Sequence, residues 1–171
     1  MKKETITLLL LLVLLQAGVS AQQKPLALGL EMFENIEYIE YCLPLPLKEF
    51  KELPGSEKAA HSFVNKKNKD CTIYIKGYYS TVVNIDTLYK QTTSANNEEA
   101  GKVVTQTELL KNKNCFYTIG YYNNFINKYE FAEVTWVRND EVVELEIYYA
   151  IKEKQLWHER LKLIIKNAGC R

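Results

Sequence analysis

The clearest alternation of apolar and polar positions lies near the carboxyl end of the chain. Apolar side chains occupy every second position there, and two glutamates lie between them: Val143, Leu145, Ile147, Tyr149 and Ile151 alternate with Glu144 and Glu146. Successive side chains on a strand point to opposite faces, so this pattern predicts a strand with one buried and one solvated face. A helix would place the two glutamates among the apolar side chains.

Three further runs rich in β-branched and aromatic residues precede this strand, at Val103–Leu110, Cys115–Tyr122 and Tyr129–Val137. The segments between them are short and contain asparagine, which is typical of turns. Short connections favour antiparallel neighbours, because a parallel pair needs a long crossover. The sequence therefore predicts a four-strand antiparallel meander, around which the rest of the chain is organised.

The amino-terminal half predicts fewer and shorter strands. Residues Ala60–Asn65 and Cys71–Tyr79 are expected to form a hairpin about a lysine-rich turn. Glu31–Tyr41 suits helix or strand, and we interpret it as a short strand that ends near Cys42. Pro44 and Pro46 are expected to stop strand pairing after it, because proline has no N–H for the ladder.

Two helices complete the prediction. Asn84 is a favourable N-cap for a short helix with an inner stripe of Ile85, Leu88, Tyr89 and Thr92. The polar stretch Ser94–Gly101 is expected to be an exposed loop. Lys154–Ala168 predicts a second helix with the apolar stripe Trp157, Leu161, Ile164, Ile165 and Ala168, ending at Gly169. The predicted fold class is α+β, with an antiparallel sheet packed against two helices.

The first residues, Met1–Ala21, indicate a secretory signal peptide. A basic start at Lys2 and Lys3 precedes an apolar core at Leu8–Leu15, and small residues end the segment at Val19-Ser20-Ala21. An uncleaved anchor is the alternative, although the apolar run is shorter than the ~20 residues that span a bilayer. We expect an exported chain, periplasmic or extracellular, with no integral membrane segment after cleavage.

Cleavage after Ala21 would leave residues 22–171, a length typical of one domain (171 − 21 = 150 residues). Removal of Lys2, Lys3 and Glu4 leaves 20 basic and 20 acidic side chains. A formally neutral chain does not predict nucleic acid or an anionic membrane as a partner, because binding to either negatively charged partner is favoured by an excess of Lys and Arg.

The order of these elements resembles the superfamily of the photosystem II extrinsic protein P (PsbP-like). The likeness rests on Tyr41-Cys42-Leu43-Pro44, on the hairpin that ends at Tyr79, and on Trp157 at the start of the last helix. This resemblance implies an α/β sandwich that serves as a binding or accessory module, and it assigns no residue a role. Cystatin-like and NTF2-like α+β folds are the alternatives, and a fold alone does not fix function.

The four cysteines permit disulfides in an oxidising compartment but match no zinc pattern, since no two stand two to four residues apart. The predicted topology places Cys71 and Cys115 at opposite ends of the sheet, beyond the ~7 Å between Cα atoms that a disulfide needs. It places Cys42 and Cys170 at the same end, so we prefer that pair. Four reduced, buried cysteines are the alternative.

Few residues suggest catalysis. His61 and His158 have no metal-ligand partner at a useful spacing, and no nucleophile elbow or glycine-rich phosphate loop occurs, so we predict no metal or cofactor. Glu144 and Glu146 share a strand face, where a pair of glycosidase carboxyls could lie, although a solvated face is the simpler interpretation. Paired tyrosines at strand ends are candidates for a contact surface: Tyr121, Tyr122, Tyr148 and Tyr149.

The leading functional hypothesis is an exported, non-enzymatic binding or accessory module of unknown ligand, associated with the cell envelope. A small secreted hydrolase with an unrecognised site and a carrier of a small apolar ligand are the alternatives. A deep pocket that holds two carboxylates, or His61 against an acid, would favour the enzyme. An apolar cavity of ~300 Å³ or more would favour the carrier, and a closed core with a flat tyrosine-bearing face would favour the module.

Overall fold

The structure, a computed structural model, describes residues 26–34, 36, 39–54, 59–81, 84–122 and 129–169. The expected signal peptide and Cys170 lie outside these residues. Nine strands and two α-helices are described, together with short 3₁₀ turns. In chain order the elements are β1 (Glu31–Phe33), β2 (Leu43–Leu45), β3 (Phe50–Leu53), β4 (His61–Asn65), β5 (Thr72–Tyr79), α1 (Ile85–Glu98), β6 (Lys102–Leu110), β7 (Cys115–Tyr122), β8 (Tyr129–Arg138), β9 (Glu141–Ala150) and α2 (Lys154–Asn167).

Seven strands form one antiparallel sheet in the order β3-β4-β5-β9-β8-β7-β6. The predicted meander is its larger half, and the predicted β4–β5 hairpin joins it through the pairing of β5 with β9. Strand β3 was not predicted, because its four residues follow a proline-rich link and three of them are exposed. The α+β class with an antiparallel sheet and two helices is confirmed.

Two predictions about local structure are wrong. Pro44 does not stop strand pairing; it lies within β2, opposite Met32 of β1, in a separate two-stranded sheet. A proline is tolerated there because a two-stranded sheet leaves the outer side of each strand unpaired. The expected loop Ser94–Gly101 is instead mostly helix, since α1 continues to Glu98. Asn96 on its last turns is buried and accepts a hydrogen bond from Lys102, which compensates its weak helix propensity.

Each side of the large sheet has its own cover. The core face carries Ile73, Ile75, Val134, Leu145 and Ile147 and packs against α2 and the β1–β2 pair. Trp157, Leu161 and Ile164 of α2 are buried there, as the apolar stripe predicts. On the opposite side, which we call the groove face, the described part of the chain places α1 over β6 and β7, with the Tyr89 ring against Phe116. Neither described helix has the length and apolar character needed to cross a bilayer.

Candidate functional site

An open groove lies on the groove face, between α1 and the residues that precede β4. It has a volume of about 1330 Å³, and strands β5, β8 and β9 form its floor. Strand alternation builds it, because every second residue of these strands points away from the core face. Its lining combines four tyrosines, four glutamates and two lysines: Tyr74, Tyr78, Tyr122, Tyr148, Glu99, Glu133, Glu144, Glu146, Lys76 and Lys102.

Two tyrosine hydroxyls, one on β5 and one on β9, donate hydrogen bonds to carboxylates of the groove. Tyr78 donates to Glu144 over 2.9 Å, and Tyr148 donates to Glu146 over 2.5 Å. Burial raises the pKa of both phenols, and the adjacent carboxylates raise it further. The phenols therefore keep their protons across the physiological range, and each proton is directed at a carboxylate oxygen.

Lys102 connects α1 to the sheet at the inner wall of the groove. Its Nζ lies 2.7 Å from Glu133 Oε1, 2.7 Å from Asn96 Oδ1 and 3.3 Å from a Glu99 oxygen, and its side chain is only 4% exposed. The pKa of Glu133 is raised, because burial disfavours its charged form more than Lys102 favours it. The groove thus contains one partly desolvated carboxyl beside more accessible ones.

The tyrosines proposed as a contact surface lie in two different environments. Tyr122 and Tyr148 both line the groove. Tyr149 is 1% exposed and stacks on Trp157 in the core, with ring centroids 5.7 Å apart, so it does not line the groove. Tyr121 alternates with Tyr122 along β7 and is half-buried on the other side of the sheet. Successive side chains on a strand point to opposite faces, which accounts for this division.

Both histidines lie away from the groove. His61 Nδ1 is 2.9 Å from Glu52 Oε1, but β4 places this pair on the core-face side, where the His61 ring meets the edge of Phe33. His158 Nε2 is 3.4 Å from a Glu130 oxygen near the start of β8. Among the described residues that line the groove, none is histidine, cysteine or serine. No cluster of three metal-ligating side chains occurs within the described ranges.

Either of the two features named above would favour the enzyme, and both occur in part, but on different sides of the sheet. The groove holds several carboxylates, and His61 does face an acid, yet the two features occupy opposite sides of the sheet. A nucleophile or general base must lie within hydrogen-bond reach of its partner and the substrate, which this division prevents for His61. The groove exceeds 300 Å³ but carries four carboxylates, so it does not suit an apolar ligand either.

Several groove residues were missed from the sequence. Tyr74 and Lys76 were missed although they alternate with Tyr78 along β5 as clearly as the glutamates of β9, so their common face could have been inferred from the same period. Lys102, Glu99 and Asn96 had no such signal. They meet only because α1 extends to Glu98 and β6 then returns beside β7.

Two of the described cysteines are free thiols. Cys71 and Cys115 are buried and unbridged, and burial raises the pKa of the Cys115 thiol to about 11. The backbone N–H of Gly169 donates to the carbonyl of Cys42 over 2.9 Å. Gly169, the residue before Cys170, therefore lies against Cys42. Cys170 itself is outside the described residues, so the Cys42–Cys170 bridge stays a prediction.

Comparison with known proteins identifies the fold. No family model matches the sequence, and no curated protein matches it. LpqN of Mycobacterium tuberculosis, described as involved in cell envelope biogenesis, is similar in structure with a TM-score of 0.61 and 14% identity over 81% of this chain and 88% of LpqN. Cyanobacterial PsbP (CyanoP) of Synechocystis sp. PCC 6803 is similar with a TM-score of 0.59 and 8% identity over 90% of this chain and 99% of CyanoP. At these identities the likeness shows the fold alone, and the expected resemblance to the PsbP-like α+β sandwich is confirmed.

Proposed function

We propose that this protein is an exported, non-enzymatic binding or accessory module whose ligand occupies the groove. The observation that carries the proposal is the groove that the described residues leave open on this face of the sheet. Helix α1 packs on β6 and β7, and the tyrosines and glutamates of β5 and β9 line open space. Concave sites that combine ring surface with a few placed polar groups are typical ligand sites.

The structural neighbours support the same class of function. LpqN is described as involved in cell envelope biogenesis, and CyanoP is a cyanobacterial PsbP. An exported role at the cell envelope agrees with the signal peptide predicted for Met1–Ala21, with 22–171 as one mature domain. Mass spectrometry of the protein recovered outside the cytoplasm tests this step. A mature chain that begins at Gln22 is expected, and retention of the full chain in the cytoplasm would contradict export.

Site-specific photocross-linking tests the groove directly. A benzoylphenylalanine replaces Tyr78, which is 38% exposed at the groove, and in a matched variant it replaces Leu156, which is 39% exposed on α2. Both variants are produced in the source organism and irradiated in intact cells. We expect a discrete cross-linked product from the Tyr78 position alone. Equal products from both positions, or none from Tyr78, would reject the groove as the binding site.

A hydrolase is the second candidate, and one observation favours it. The groove contains Glu133, whose raised pKa suits a general acid, on the same floor as Glu144 and Glu146. Purified mature chain is assayed against generic ester and glycan substrates, beside Glu133→Gln and Glu159→Gln, the latter on the solvated side of α2. The binding proposal predicts no turnover by any of the three proteins. Turnover that Glu133→Gln abolishes and Glu159→Gln retains would establish the enzyme instead.

A further inference from the structure

A smaller hollow adjoins the groove where β8 begins. Its volume is about 480 Å³, and it shares Glu99, Tyr122 and Tyr148 with the groove. Four aromatic residues line it: Tyr122, Tyr129, Phe131 and Tyr148. Phe131 is 0% exposed, so the rings that a ligand would meet are those of the three tyrosines. Two carboxylates complete the lining, Asp70 and Glu99; Glu130 also borders the hollow, but strand alternation places its carboxylate on the core-face side, where it accepts a hydrogen bond from Tyr149. Aromatic rings with carboxylates at their margins form the type of enclosure that binds organic cations, because the ring faces carry negative potential.

The hydroxyl protons of the three tyrosines are already donated to carboxylates. Tyr122 donates to Glu99 over 2.9 Å, and Tyr129 donates to Asp70 over 2.5 Å. Tyr148 donates to Glu146 of the groove. The hollow therefore offers a ligand ring faces and oxygen lone pairs, and these phenols offer it no protons. A ligand that brings its own positive charge complements such a lining, whereas an anion would meet carboxylates on several sides.

One ring of the hollow already holds a cation on its groove side. Lys102 Nζ lies 4.8 Å from the centroid of Phe131, beside Glu99 and Glu133. This contact is a cation–π interaction within the folded chain. The chain thus already places one ammonium group of its own against an aromatic residue of this hollow.

We propose that the hollow binds an organic ammonium group, from a small molecule such as a quaternary amine or from a lysine side chain. This inference deepens the proposed function, because the rest of such a ligand would extend along the groove. A neutral sugar fits less well, since it needs hydrogen-bond donors from the protein as well as acceptors. A purely apolar ligand would leave Asp70 and its neighbours desolvated without compensation.

Ligand titration of the mature chain, followed by amide NMR shifts, tests the chemistry. Choline and Nα-acetyl-lysine methylamide, whose side-chain ammonium group is free, represent the two sources of the ammonium group. The uncharged alcohol 3,3-dimethylbutanol has the shape of choline without its charge. We expect saturable shifts at Tyr122, Tyr129 and Phe131 with at least one ammonium ligand and none with dimethylbutanol. Binding by choline alone would assign a quaternary amine, and binding by the lysine derivative alone would assign a protein side chain. Equal binding of choline and dimethylbutanol, or no binding by either ammonium ligand, would overturn the proposal.

Three variants separate the ring from its hydroxyl. Tyr129→Leu removes a ring face and should weaken ammonium binding about two- to thirtyfold, the range for one cation–π contact. Tyr129→Phe keeps the ring and should retain binding close to that of the wild type. Tyr79→Leu removes an exposed tyrosine outside the hollow and serves as the matched control. Unchanged affinity in Tyr129→Leu, with folding verified by thermal melting, would exclude the hollow as the binding site.

The two proposals fail in different ways. Ammonium binding is measured on purified protein with small ligands, whereas the groove is tested by cross-linking in cells. A cross-link at position 78 without ammonium binding would leave the groove as the site and reject the cation. Absence of both would reject the groove and the hollow together.

Discussion

The two faces of the large sheet share strands but differ in what covers them. On β9, Leu145 is 1% exposed on the core face, whereas its neighbour Glu144 lines the groove. The core face is closed by α2 and the β1–β2 pair, and Trp157 stacks there on Tyr149. The groove face has one helix over its outer strands. The same alternation thus builds a close-packed core on one side and an accessible polar site on the other.

Charged groups also serve different ends on the two sides. Arg160 of α2 is buried, forms an ion pair with Glu49 and donates to the backbone carbonyl of Leu28, so it attaches the amino-terminal segment to the core face. On the groove face, Lys102 binds Glu133 at the inner wall, and Glu144 and Glu146 line the open groove. The comparison predicts that substitutions on the core face change stability and that substitutions on the groove face change binding.

The largest expected effect comes from two adjacent residues of β9. Leu145→Ala should lower the free energy of unfolding by about 2–5 kcal/mol, because it leaves a cavity in the packed core. Glu144→Ala should change it by less than about 1 kcal/mol, since it removes one contact on an open surface. Urea unfolding of both variants measures the difference. Similar losses in the two variants would contradict the contrast between the faces.

The predicted Cys42–Cys170 bridge should give the next largest effect. A native disulfide that closes a long loop typically contributes about 2–4 kcal/mol, so reduction or the double variant Cys42→Ala/Cys170→Ala should lower stability by that amount. The bridge would fasten the end of α2 to β2 on the core face, where Gly169 already donates to Cys42. Peptide mapping without reductant should recover the linked pair. Detection of four free thiols by alkylation would disprove it, and Cys115→Ala serves as a control that breaks no bridge.

The Arg160–Glu49 ion pair should contribute less to the free energy of unfolding than the Leu145 side chain or the predicted disulfide. Arg160→Leu leaves the Leu28 carbonyl without its donors and should cost about 1–3 kcal/mol, a moderate value because the Glu49 side chain is 43% exposed. Hydrogen exchange of the amides at residues 26–30 should become faster, since this side chain holds them against α2. Lys162→Leu, which removes an exposed pair on the same helix, provides the control. Equal protection in both variants would show that Arg160 does not anchor the segment.

Strand alternation explains how much of the fold the sequence could predict. The alternation of apolar and charged residues around Leu145 and Glu144 predicts a buried and a solvated strand face. The short turns between the four predicted strands of the meander leave few possible topologies. The Asn84 cap was also recoverable, because its side chain accepts from the Asp86 amide as an N-cap does. Each of these features depends on residues close together in the chain.

The groove could not be predicted in the same way, because it is formed by contacts between residues that are far apart in the sequence. Lys102 meets Glu133 across 31 positions, and Asn96 is buried only because α1 folds back on the sheet. A solvated strand face was therefore the reasonable interpretation of Glu144 and Glu146 before the position of α1 was known. Strand β3 and the pairing of Pro44 were missed for a related reason, since edge strands are short and need only one partner.

The pH dependence of Glu133 should give the smallest effect, and it measures how far the groove face is desolvated. Burial raises the pKa of Glu133 in the folded chain, so its stabilising, protonated form is complete below the unfolded pKa of about 4.5 and is lost as the pH rises through the folded pKa. Glu133→Gln should therefore gain stability relative to the wild type between pH 4 and pH 7, by about 1.4 kcal/mol per unit of pKa elevation. Thermal melting at both pH values measures it, with Glu159→Gln on exposed α2 expected to show no such trend. If Glu133→Gln instead lost stability relative to the wild type as the pH rises, the attraction of Lys102 for the charged carboxylate would exceed the cost of burial. The groove face would then be more solvated than its geometry indicates.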